Sequence, residues 1–200
     1  MAAGVLAGGV LTVGCGDSPD TVVLADVVAS WTGDFTVRAA KTEPTFVERL
    51  TYGRHGDLFA LDAVSSDGDL GRIVVEVAPD GAITPLSCPR GTDCDGPWST
   101  GFLATAAVVS AARTGRLVGE GDVERFAGRP VVCIPAEVLG ARQPPLDPCL
   151  DTATGAVLAH RHRSDGSFDG PTPDPGSVVV DTTADIALFD IDHPRKGGLP

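Results

Sequence analysis

Lysine is nearly missing from this 200-residue chain, with Lys41 and Lys196 the only two. Arginine does not make up the difference: 15 basic residues stand against 27 acidic ones, a formal charge of −12. Such a balance argues against grip on a nucleic-acid backbone, which requires Lys and Arg to displace condensed counterions. It equally argues against adhesion of the polypeptide itself to an anionic membrane. No apolar run reaches the roughly 20 residues that cross a bilayer as a helix. Catalytic signatures are missing as well. There is no G-x-S-x-G elbow, no P-loop, no G-x-G-x-x-G after a strand and no H-E-x-x-H. The expectation is a protein that is not an enzyme and uses no cofactor. What is present is 42% apolar residues, enough for one ordinary core, with 25 glycines and 16 prolines that predict long loops. A domain of this size hides roughly 70% of the surface its unfolded chain exposes.

Ala2 to Val13 is almost entirely Ala, Gly, Val and Leu and carries no charge. It has the length of a signal-peptide h-region. The run ends at Leu11-Thr12-Val13-Gly14-Cys15 and turns polar at Gly16-Asp17-Ser18-Pro19-Asp20. That arrangement resembles the lipobox of bacterial lipoproteins of actinobacterial type. The resemblance implies that residues 1–14 are a signal peptide and that Cys15 is diacylated, with palmitate-like chains, as the mature N-terminus. A non-acylated signal peptide or a buried apolar segment is the alternative. Each buried methylene contributes about 0.8 kcal/mol, and two acyl chains together make anchoring stable. The protein would then be held at the extracytoplasmic face of the cell membrane.

Setting Cys15 aside leaves four cysteines, Cys88, Cys94, Cys133 and Cys149. An even remainder in an exported chain reads as two disulfides, and four cysteines allow three pairings. Cys88–Cys94 and Cys133–Cys149 are favoured, because each pair flanks one Pro- and Gly-rich loop. Neither spacing matches the short knuckle in which two thiolates share a zinc ion.

Leu24, Val27, Val28 and Trp31 stand at helical spacing, with Asp20 as a candidate N-cap. Period-2 segments follow: Asp34–Lys41, Thr45–Tyr52, Leu58–Val64, Arg72–Ala78 and Ile83–Leu86, separated by turn residues such as Pro79-Asp80-Gly81. Hairpins in sequence predict an antiparallel sheet. Phe102 to Arg113 reads as a helix capped by Ser99 or Thr100 and stopped by Gly115, apolar on nearly every side and therefore buried. Strands resume at Asp122–Phe126, Val131–Ile134 and Val157–Arg163. Gln143 to Pro148 reads as a loop, and Ser177–Leu188 as a last strand. The divisions expected are a tether and helix over 15–33, one α+β domain over 34–192 and a loose tail over 193–200.

Two phrases stand out: Val123-Glu124-Arg125-Phe126-Ala127-Gly128-Arg129-Pro130-Val131-Val132-Cys133 and Cys149-Leu150-Asp151-Thr152-Ala153-Thr154-Gly155. They resemble the V-x-G-R-P-x-x-C and C-x-D-x-x-T-G hairpins of lipoproteins in the half-barrel superfamily of LolA, RseB, LppX and LprG. The order of elements looks like that superfamily too, over about Ser30 to Leu188. The resemblance implies a curved antiparallel half-barrel with helices plugging its concave face. The space between holds an apolar ligand, a lipid or acyl chain; an RseB-like sensor would instead have a closed core and a protein partner. Candidate lining residues are Phe35, Val37, Phe46, Leu50, Phe59, Leu61, Val75 and Val77 from the sheet. Phe102, Leu103, Ala106 and Val109 come from the helix. For each of them ordinary core packing is the competing account. His160 and His162, two apart on a predicted strand, would need a third ligand such as His55 or His193 to hold a metal; a solvent-facing pair is the simpler reading, and no metal is expected.

Overall fold

The alternating segments do fold as strands, joined by the turns their Gly, Asp and Pro residues favour. The computed structural model describes residues 20–31, 33–42, 47–65, 68–89, 102–139, 146–170 and 178–191. In chain order it contains β1 (Thr21–Val23), α1 (Leu24–Ser30), β2 (Phe35–Thr42), β3 (Val47–His55), β4 (Leu58–Ser65), β5 (Gly68–Val77) and β6 (Ile83–Ser87). Then follow α2 (Ala104–Arg113), β7 (Glu120–Phe126), β8 (Arg129–Cys133), a 3₁₀ turn at Ala136–Leu139, β9 (Leu146–Asp151), β10 (Val157–His162), β11 (Phe168–Asp169), β12 (Val179–Asp181) and a 3₁₀ turn at Ile186–Leu188.

The strands form two antiparallel six-stranded sheets. Sheet I runs β12-β2-β3-β4-β5-β6 and sheet II runs β1-β7-β8-β9-β10-β11. The class is therefore α+β, and the described strands do not close into a barrel. The β7–β8 turn shows the local logic. Ala127 and Gly128 both have positive φ, 51° and 76°, which suits the right-handed twist of the strands it joins.

Four expectations are corrected. Asp20 does not cap a helix at Thr21: residues 21–23 pair with β7 and α1 begins only at Leu24, with no side-chain cap. Helix α2 starts at Ala104, with Phe102 and Leu103 in the preceding turn, and the proposed caps Ser99 and Thr100 lie outside the described residues. The supposed loop Gln143–Pro148 contributes its last three residues to β9, where Pro148 sits opposite His160. The last strand is three residues long instead of twelve.

After β12 the chain crosses the outer face of sheet I as a strap. The buried Thr36 hydroxyl donates to the Thr183 carbonyl and accepts from the Asp185 N–H, both at 2.8 Å. Arg72 donates to the carbonyls of Ala187 (3.2 Å) and Asp190 (2.9 Å). Leu188, fully buried, packs on Ala60 and Val74. No helix of the described residues is long and apolar enough to cross a membrane. Residues 1–19, the tail beyond 191, Phe46 and Cys94 lie outside the described residues.

Candidate functional site

Strand register places Phe35, Val37 and Ala39 of β2, Leu50 and Tyr52 of β3, Phe59, Leu61 and Ala63 of β4, and Ile73, Val75 and Val77 of β5 on one face of sheet I. Helix α2 lies against the β5–β6 side of that face. Ala104 through Ala111 are all buried, so the all-round apolar pattern has the consequence expected of it. The other flank of α2 meets sheet II and α1. Leu103, Ala106 and Val109 share one core cluster with Phe59, Val75 and Val77, and with Leu24, Trp31, Val132, Leu150 and Val157.

The proposed lining does not form one continuous group. Phe35 and Val37 pack in a second cluster with Tyr52, Phe126, Val131 and Leu158. Leu50 packs in a third with Ala39 and Ala63. Leu61 borders all three clusters, whereas Phe102 borders only the second and third. Dimensions give the reason. Ten helical residues are about 15 Å long, whereas six strands at about 4.8 Å spacing are about 24 Å wide. The helix covers only part of the face; side chains of sheet II cover Phe35, Val37 and Tyr52, and Phe102 and Val178 pack on Ala39, Leu50 and Ala63.

Hydroxyl groups tie the layers together. Thr105 Oγ1 donates to the Gly155 carbonyl and Ser110 Oγ to the Gly81 carbonyl, each at 2.6 Å. The Tyr52 hydroxyl donates to the Val157 carbonyl, linking sheet I to β10. Burial pushes the Tyr52 phenol well above its ordinary value, so it stays a neutral donor. The Tyr52 ring also stacks on Phe102, with centroids 4.8 Å apart, and Phe102 meets the His160 ring edge-on at 6.1 Å. Sequence reasoning left Tyr52, Thr105 and Ser110 off the list. Period-2 spacing marked the inward direction of Tyr52, but no local signal marks a hydroxyl that reaches a distant carbonyl.

Trp31, the last member of the i, i+7 pattern, is buried and donates its indole N–H to the Thr152 carbonyl at 3.0 Å. Arg54 donates to the Trp31 carbonyl at 2.8 Å and lies over the Phe59 ring. Desolvation lowers the Arg54 pKa below its ordinary value. Beside it, Asp34 accepts from the Gly56 N–H at 2.9 Å and from His55 at 2.8 Å. The Gly56 bond first, and then His55, hold the Asp34 carboxyl below its usual range against some desolvation.

Several charges on and beside sheet II are paired. The buried Asp147 receives Arg163 and the Ala136 N–H, while Arg163 also grips Glu137 and Arg161 reaches Glu124 at 2.5 Å. Glu137 and Asp147 hold Arg163 above its usual guanidinium value. Arg129 meets the buried Asp151 at 2.5 Å. These arginines are therefore engaged with acids within the fold. His160 and His162 do share a face of β10. No group of three or more His, Cys, Asp or Glu able to hold a metal occurs among the described residues.

Cys133 and Cys149 face each other across β8 and β9 and are joined by a disulfide, the pairing expected. On the chain-entropy model, closing a loop of this size contributes about 3 kcal/mol. Cys88, just after β6, is also disulfide-bonded. Compared with known proteins, the chain matches no family model, no curated protein and no solved structure.

Proposed function

We propose that this is a lipid-anchored, extracytoplasmic protein that carries or holds an apolar ligand, a lipid or acyl chain, between sheet I and α2. The reading includes a half-barrel curvature of the strands with α2 as its plug, as in the lipoproteins its hairpin phrases resemble. One observation carries it: a helix with alanines at 104, 106, 107, 111 and 112 packs in one apolar cluster with Phe59, Val75 and Val77 of the sheet, with Arg54 over the Phe59 ring. Alanine leaves little side-chain bulk to displace, and an apolar lining suits a hydrocarbon chain. A second reading, an RseB-like sensor with a closed core and a protein partner, is favoured by Thr105 and Ser110, whose hydroxyls fix α2 on both flanks.

Native mass spectrometry of the full chain is the test. A lipid mass retained through gentle purification is the expected result, whereas apo protein in every preparation would favour the sensor. Leu103→Trp is expected to weaken uptake of a fluorescent fatty acid about tenfold, roughly 1.4 kcal/mol. Unchanged uptake would remove Leu103 from the lining, and circular dichroism separates either result from misfolding. Cys15→Ala is expected to move the protein from the membrane to the soluble fraction; retention would refute acylation there.

A further inference from the structure

We infer that the β1 edge of sheet II is the face turned toward the phospholipid bilayer, an inference that rests on acylation of Cys15. Four residues separate Cys15 from Asp20, and five Cα steps reach at most about 18 Å when fully extended. A folded chain of this length is about 40 Å across. The tether therefore cannot bring the far side of the domain to the anchor. Asp20 is held at the rim of sheet II, where its carbonyl accepts the Val123 N–H at 2.8 Å. From there β1 runs along β7 as the outermost strand.

At the far end of that short strand two valines are open to solvent. Val23 is 45% exposed, and Val118 at 70% is the most exposed large apolar residue among those described. Val23 pairs with Glu120, and the Leu24 N–H donates to the Gly119 carbonyl at 3.1 Å, which brings both valines to one corner. A corner held within a short tether's reach of the acyl layer buries that apolar surface against lipid. The rim around it is acidic, with Asp20, Asp26, Glu120 and Asp122 all exposed and Arg116 two residues from Val118. Contact is therefore stronger on zwitterionic than on anionic lipid, and the difference shrinks as salt screens the repulsion.

The test uses the full acylated chain, purified in detergent and placed in phosphatidylcholine vesicles. Amide exchange over residues 20–24 and 117–123 is expected to slow about tenfold relative to the Cys15→Ala chain in solution. Residues 185–191, the strap on the outer face of sheet I, serve as the far side and are expected to be unchanged. A Val118→Trp variant is expected to be quenched by brominated phosphatidylcholine, whereas Ile186→Trp on the strap, where the isoleucine is likewise exposed, is not. If mass spectrometry finds acylated Cys15 and the corner stays unprotected, or the far side is protected instead, the orientation is wrong. If Cys15 carries no acyl chain, the anchor itself is refuted and this inference falls with it. Protection that grows with protein concentration in the absence of lipid assigns the corner to a second copy of the chain and overturns the bilayer assignment.

Discussion

Replacing Gly155 with alanine is expected to lower the melting temperature by about 10 °C. Gly155 has a φ of +78°, and a Cβ built there would lie 2.6 Å from two ring carbons of Trp31. The left-handed conformation costs an alanine about 1–2 kcal/mol. Overpacking against a buried indole adds roughly another 1–3 kcal/mol. For a domain of this size each kcal/mol shifts the midpoint by about 2–4 °C. Trp31 cannot simply move away, because its indole N–H is bound to the Thr152 carbonyl and its own carbonyl to Arg54. Thermal unfolding of Gly155→Ala, Trp31→Ala and the double variant checks the argument. The double variant is expected to be clearly more stable than the sum of the singles predicts. Simple additivity would mean that the two residues do not clash.

Asp151→Ala is expected to cost about 3 kcal/mol, again close to 10 °C. The Asp151 side chain is 1% exposed. One carboxylate oxygen meets Arg129 at 2.5 Å. The other accepts from the N–H groups of Ala153 (3.0 Å) and Thr154 (2.9 Å) and from the Thr154 hydroxyl (3.1 Å). Truncation strips four donors at once and leaves a guanidinium without its partner. The expected cost is at the low end for a broken buried pair because Arg129 is partly exposed and can turn to water. Arg129→Ala is expected to cost only about 1 kcal/mol, since the turn donors keep the carboxylate bound. Chemical denaturation of both variants separates the two contributions. Equal losses would show that the ion pair, and not the turn, is what Asp151 serves.

These residues belong to the two hairpin phrases that stand out in the sequence, and the tertiary structure gives several of their residues a mechanical role. In the second phrase Cys149 carries the disulfide, Asp151 and Thr154 close the turn, and Gly155 makes room for Trp31. In the first, Gly128 supplies a left-handed turn residue, Arg129 reaches Asp151, and the Pro130 carbonyl accepts the Thr152 N–H at 3.1 Å. Side-chain alternation located β2 to β6 within a few residues, because a half-buried strand must alternate. It misjudged 177–188 for a reason that lies in the partner strand. The register runs Val179 to Arg38 and Asp181 to Thr36, so the next pair would set Thr183 against Asp34, one residue before β2 begins at Phe35. With no partner left, the alternating chain leaves the sheet and Thr36 fastens it as a strap.

The sequence by itself determined the antiparallel strands and the helix that is apolar on nearly every side, since each depends on side chains near one another in the chain. Of three possible cysteine pairings it favoured the set that includes Cys133–Cys149, and the structure contains that bridge. Only the tertiary structure decided how twelve strands divide into two sheets, how the proposed lining splits among three clusters, and which arginine meets which acid. The reason is geometric. Local patterns state which way a side chain points, but what it meets depends on how far a 15 Å helix extends over a 24 Å sheet.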